Sequence, residues 1–171
     1  EEMRAAAGNL EDFYRDLDME IDIVPVHAQT LARTAQLTQK TNQLNLTTRR
    51  YSEAQVAQRM ADPRWTVLTV SVRDRFGDNG IVGVMMAHED GDRLDVDTLL
   101  LSCRVIGRTV ETAMLAHLCG IAARAGLRAV TACLIPTDKN HPVRGMLPEH
   151  GFERVREDAN GTTHWRLAID G

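Results

Sequence analysis

The chain has 171 residues, is 43% apolar and 26% charged, and carries a formal net charge of -4. That length suits one domain with a real core. The charge excludes a global basic field for nucleic acid, and an aromatic content of 4% excludes a base-stacking platform. The three cysteines, Cys103, Cys119 and Cys133, form no C-x-x-C pair. An odd set of isolated thiols fits reduced cysteines in a cytoplasmic protein better than a disulfide framework or a zinc site. No apolar run approaches membrane-spanning length and no signal-peptide pattern opens the sequence. The start at Glu1-Glu2, without an initiator Met, reads as an excised part of something longer.

Residues 2–17 have the spacing of an amphipathic helix, with Met3, Ala6, Leu10, Phe13 and Leu17 on one face. Being first and charged, residues 1–18 suit a linker helix, leaving 19–171 as the domain. Met19 to Val26 alternates as a strand does, and Pro25 suits its end. His27 to Gln39 reads as a helix. Thr41 to Tyr51 follows, dense in amides and hydroxyls that favour local backbone bonding. Ser52 and Gln55 form a capping-box pattern that opens a short helix, with Tyr51 and Val56 as its staple.

Trp65 to Val72, Ile81 to His88 and Leu94 to Ser102 read as an antiparallel meander, separated by turn signals at Gly77–Gly80 and Glu89–Asp92. A helix from about Arg108 to Arg124 ends at Gly126, and Leu127 to Ile135 is a further apolar strand. A strand–helix–strand pass of this length implies a parallel neighbour. Pro136 to Pro142 reads as a loop, Val143 to Glu149 as a short helix and Thr162 to Ile169 as a last strand.

The stretch Leu99 to Glu111 organises the rest. An apolar strand runs into a turn holding Cys103, Arg104, Gly107, Arg108 and Thr109, and a helix follows. Free backbone N–H groups and the positive helix end converge there, which suits a phosphate or an oxyanion.

The order of elements resembles the GNAT fold of N-acetyltransferases, an α/β architecture with a mixed central sheet flanked by helices. In that family the turn after the fourth strand carries R/Q-x-x-G-x-G/A and cradles the coenzyme A pyrophosphate. The matching residues are Arg104, Gly107 and Thr109, the last departing from the pattern by carrying a Cβ. The strings Thr41 to Tyr51, Leu101 to Arg108 and Pro136 to Asn140 further resemble the C-terminal half of the FkbH-like family. Those proteins load glyceryl units onto acyl carrier proteins in polyketide pathways, through an N-terminal haloacid-dehalogenase-type phosphatase half that takes 1,3-bisphosphoglycerate. Its D-x-D signature has no match: Asp16-Leu17-Asp18 follows a helix, and Asp95-Val96-Asp97-Thr98 precedes its apolar run, so both read as solvated carboxylates.

The resemblance implies a glyceryl thioester on the enzyme. Cys103 is the candidate nucleophile, its pKa lowered by Arg104, Arg108 and the helix start. Cys119 and Cys133 read as core packing. Arg104, Gly107, Arg108 and Thr109 would hold a phosphopantetheine arm or coenzyme A. Asn42, Asn45, Thr47, Arg49, Arg50, Lys139 and Asn140 are candidate acyl- or carrier-binding residues. His88 and His141 are possible bases, though each sits alone, and the histidine spacing gives no metal site. The expected partners are an acyl carrier protein and the upstream phosphatase half, with neither nucleic acid nor membrane. Two other readings compete: a coenzyme A-dependent N-acyltransferase, and a docking module without chemistry.

Overall fold

The computed structural model describes residues 19–102 and 108–169. The expected helix over 2–17 and the carboxylates Asp16 and Asp18 lie outside the described residues, as do Cys103, Arg104 and Gly107.

The strands are β1 (Glu20–Pro25), β2 (Leu44–Asn45), β3 (Trp65–Asp74), β4 (Gly77–Asp90), β5 (Arg93–Leu101), β6 (Ala129–Leu134), β7 (Glu153–Glu157) and β8 (Thr163–Ala168). The helices are α1 (Leu31–Lys40), α2 (Glu53–Ala61), α3 (Arg108–Arg124) and α4 (Met146–Glu149), with a 3-10 turn at His141–Val143. One sheet runs in the order β1-β3-β4-β5-β6-β8-β7, and β2 pairs with β5 beside that path.

The meander is antiparallel over β3, β4 and β5, and β6 joins β5 in parallel, as the intervening helix requires. The first hairpin turns earlier than Gly77–Gly80 suggested. Asp74 already pairs with Gly77, so Arg75 and Phe76 form the turn. The Asp74 carboxylate accepts from the Phe76 and Gly77 amides, which closes the turn ahead of the glycines. The capping box forms as read: Ser52 accepts from the Gln55 amide while Gln55 accepts from the Ser52 amide. Gly126 ends α3 at φ 74, where a Cβ would be strained.

Two apolar cores lie on opposite faces of the sheet. Leu94, Val96, Leu99, Leu101, Val130 and Ala132 pack with Val110, Met114, Leu118 and Ala122 of α3. On the other face Val67, Val84, Met86 and Leu100 pack with α1 and α2 through Leu37 and Val56.

The strands β5 and β6 pair only over Arg93–Val96 and Ala129–Ala132. Beyond that they diverge, and the gap is filled by the chain itself. Leu44 and Asn45 pair with Leu101 and Leu100. The Leu46 amide then donates to Leu99 O at 3.2 Å, and the Ile135 amide donates to Leu46 O at 2.9 Å. Asn140, fully buried, pins the insert: its Nδ2 donates to Asn45 O at 3.2 Å and to Ile135 O at 2.8 Å, and its Oδ1 accepts from the Thr137 amide at 2.8 Å.

Removing that side chain orphans the buried Asn45 carbonyl and, in half-buried surroundings, the Ile135 carbonyl and the Thr137 amide. Asn140→Ala is expected to cost about 2–4 kcal/mol, because each unpaired buried group costs roughly 1–3 kcal/mol. Urea unfolding followed by circular dichroism checks this; a loss under about 0.5 kcal/mol would mean the insert is held some other way.

Candidate functional site

Two features lie at either end of the Thr41–Tyr51 segment. The first is an open cleft of about 1010 Å³. Leu101 and Ser102 at the end of β5 line it together with Thr41, Asn42 and Leu44 of the insert. Arg33, Lys40 and Lys139 bring positive charge to its walls, against Asp78 and Asp138. The volume lies at the upper end of ordinary ligand pockets, which run to roughly 1,000 Å³.

The second is a polar floor on the face of the sheet that carries α1 and α2. Side chains on successive strands form one row: Trp65 beside His88, His88 beside Asp95, Asp95 beside Thr131 and Thr131 beside Arg166. Thr131 donates to Asp95 Oδ1 at 2.7 Å, and His88 Nε2 stands 3.8 Å from Asp95 Oδ2.

Asp97 stands next to this row and is not a solvated carboxylate; it is only 8% exposed. Val96 pairs with Ala87 and Thr98 with Met86, so Asp97 is the extra residue of a β-bulge. Its Oδ2 accepts from Tyr51 Oη at 2.6 Å and from Thr98 Oγ1 at 2.8 Å. Its Oδ1 accepts from Arg49 Nη1 at 2.6 Å. Its carbonyl accepts from Thr47 Oγ1 at 2.9 Å and from Arg49 Nη1 at 3.2 Å. Burial would lower the Arg49 guanidinium, but Asp97, together with Cys133 and Tyr51, raises it and the net shift is upward. Arg59 lies over the Tyr51 ring at 4.2 Å and over Trp65 at 5.0 Å, walling the floor on the α2 side.

The residues singled out in the sequence divide accordingly. Asn42 and Lys139 line the cleft. Arg49 lies at the border of the floor with its side chain 41% exposed. Asn45 and Asn140 are fully buried, with their amides turned to backbone. Thr47 is buried on Asp97, and Arg50 is held by Thr38 O, Thr41 O and the Asn42 side chain. Asn45, Thr47 and Asn140 thus have their side-chain polar groups bonded within the chain, as buried polar groups generally are, whereas Arg50 is exposed. Thr109 is exposed on the first turn of α3. Cys103, Arg104, Gly107 and the Arg108 side chain are outside the described residues. The residue missed was Asp97; two carboxylates at i and i+2 in an apolar strand were its signal.

No protein-family model and no curated protein matches the chain. Solved structures do match. The ribosomal-protein-S18-alanine N-acetyltransferase of Escherichia coli aligns over 89% of this chain and 96% of its own, at a TM-score of 0.67 and 11% identity. The GNAT domain of S. lividans PAT aligns over 86% and 89%, at 0.67 and 15% identity. Spermidine N-acetyltransferase from Vibrio cholerae, solved with CoA and spermine, aligns over 87% and 95%, at 0.65 and 10% identity. The chain therefore has the GNAT fold. Among the described residues, no helix is long and apolar enough to cross a membrane.

Burial, and then the hydrogen bond to Asp97, push the Tyr51 phenol up from 10.0. The folded chain holds that proton longer than the unfolded one. The resulting stabilisation is present below about pH 10 and is lost as pH rises through the folded value. Phenolate absorbance should show a late phase that Tyr51→Phe removes; a late phase surviving in that variant would contradict the assignment.

Proposed function

We infer that the chain is an acyltransferase that draws its acyl group from a pantetheine thioester, coenzyme A in the first instance. The observation that carries this is the cleft at the end of β5, with three cations on its walls, in a fold shared with acetyltransferases. Phosphates of the donor meet Arg33, Lys40 and Lys139, whose charges suit them. The apolar strip of Leu44, Val82 and Leu101 takes the less polar arm. The thioester end then reaches towards the floor. Arg49, held by Asp97, is the cation best placed to meet a carbonyl oxygen as it gains charge. Asp95, part-exposed on the floor, suits a cationic amine acceptor.

A second reading keeps the same cleft and changes the acyl group. The Thr41–Tyr51 string, on which the glyceryl-loading resemblance rests, joins the two features: its first residues line the cleft and its last build the Asp97 site. A carrier-borne arm carries the same pantetheine chemistry as coenzyme A. The acceptor is then a carrier thiol, with an upstream phosphatase half supplying the glyceryl unit.

Calorimetric titration separates the readings. Coenzyme A should bind, and the double variant Lys40→Ala/Lys139→Ala should bind at least about tenfold more weakly, since a charge-assisted hydrogen bond is worth roughly 1.5–3 kcal/mol. Preference for a pantetheinylated carrier over both coenzyme A and the bare carrier favours glyceryl loading. No heat with either donor would count against any acyltransferase.

A further inference from the structure

We propose that Cys133, with His164 as its base and Asp158 as the orienting carboxylate, is a nucleophile that carries the acyl group between donor and acceptor. This rests on the acyltransferase reading above and adds a covalent step to it.

The sheet register makes the arrangement. Cys133 of β6 and His164 of β8 are direct partners in an antiparallel ladder. Such partners point to the same face, with Cβ atoms roughly 4.5–5.5 Å apart. That face is the polar floor, since Ala132, Leu134 and Trp165 turn to the opposite core. His164 Nε2 is 2.9 Å from Asp158 Oδ2, leaving Nδ1 as the nitrogen for the thiol. Arg156 adds a cation, with Nη2 at 3.5 Å from His164 Nε2 and Nε at 3.5 Å from Asp158 Oδ1. No hydrogen bond joins Cys133 to the ring among the described residues; catalytic hydrogen bonds often form only when substrate is in place. Cys133 and His164 are both half-buried, so a substrate can reach them.

Charge at the thiol explains why a base is needed. Burial pushes the Cys133 thiol up, Asp95, Asp97 and Asp158 push the same way, and Arg49 alone opposes them. The resting group is a neutral thiol, not a thiolate. His164 removes its proton as Cys133 Sγ bonds to the acyl carbon. The donor's C–S bond breaks, and the leaving sulfur takes that proton from the imidazolium. In the second half, His164 takes a proton from the acceptor as it attacks the carbonyl. The Cys133 Sγ–C bond breaks and Sγ regains the proton. Every atom is returned and no redox partner is required. Arg49 is the neighbouring cation that can stabilise the oxyanion in both halves.

Two arms test this on the full chain. In the first, wild type, Cys133→Ser, His164→Gln and Asp158→Asn are incubated with acetyl-CoA, acid-quenched, weighed intact and peptide-mapped. A single acetyl adduct on the Cys133 peptide is expected, absent in Cys133→Ser and reduced in His164→Gln. In the second, iodoacetamide labels the thiols across pH 6–9. Cys133 should label at least about tenfold faster in wild type than in His164→Gln, since general-base help is worth roughly a hundredfold or more. Asp158→Asn, on an exposed turn, guards against a folding defect and should give a smaller loss. An adduct absent from Cys133 while coenzyme A binds overturns the proposal, as does equal labelling in wild type and His164→Gln. Failure of coenzyme A to bind falls on the donor reading instead, and the alkylation arm then decides alone.

Discussion

The divergence of β5 from β6 is the constraint on which the structure depends. The two strands share four paired residues each and then separate, which leaves backbone N–H and C=O groups facing a gap inside a sheet. Buried groups of that kind must find partners. Leu44–Leu46 supplies them, pairing with β5 on one side and receiving the Ile135 amide on the other. Asn140 fixes the insert from the β6 side, and Asn45 fixes it from within by bonding Thr41 O and the Thr48 amide. Thr48 stands at φ 55, an uncommon conformation for a β-branched residue, which the surrounding bonds impose. The insert has the cleft at its start and the polar floor at its end, so anything that shifts it shifts both.

The Asp97 bulge is the second constraint, and it follows from the first. A carboxylate this buried costs several kcal/mol in lost hydration unless charge and hydrogen bonds compensate. Two hydroxyls, of Tyr51 and Thr98, and the Arg49 guanidinium do so, and Tyr51 and Arg49 come from the chain leaving the insert, as does Thr47, which holds the Asp97 backbone carbonyl. The group is thus a weak source of stability and a strong source of orientation. It holds Arg49 at the floor's border with part of its surface free. An exposed arginine without that partner would sample many rotamers and lose the entropy at each encounter.

Periodicity made the meander, the parallel β5–β6 pass and the capping box legible, because those rest on local spacing. The hairpin turn was displaced because the Asp74 carboxylate closes it before the glycines are reached. The Thr41–Tyr51 string was legible as special, but its pairing into the sheet was not. Leu44–Leu46 fill a gap between strands distant in sequence, and such a gap leaves no local trace. Asp97 was misread for a related reason: alternation predicts its face, whereas burial depends on what folds over that face. The pairing of Cys133 with His164 leaves no mark in the sequence, because His164 lies on the neighbouring strand of the sheet and far along the chain.

The uneven cover of the sheet explains why reactive groups collect where they do. The helices α1 and α2 bury the part of their face formed by β3, β4 and the end of β5 with apolar side chains. Across β6 and β8 the same face carries Thr131, Cys133, His164 and Arg166 instead. Strands hold side chains at fixed spacing with little backbone freedom, so a pair set by sheet register needs less ordering on substrate arrival than a pair set by loops. In the proposed transfer to Cys133 a thioester is exchanged for a thioester, which changes little in free energy, so the barrier is the difficulty and not the equilibrium. Lowering it takes a positioned base and a nearby cation more than a permanently ionised sulfur. Cys133, in register with the Asp158-bound His164 and under the field of three carboxylates and one arginine, has that character.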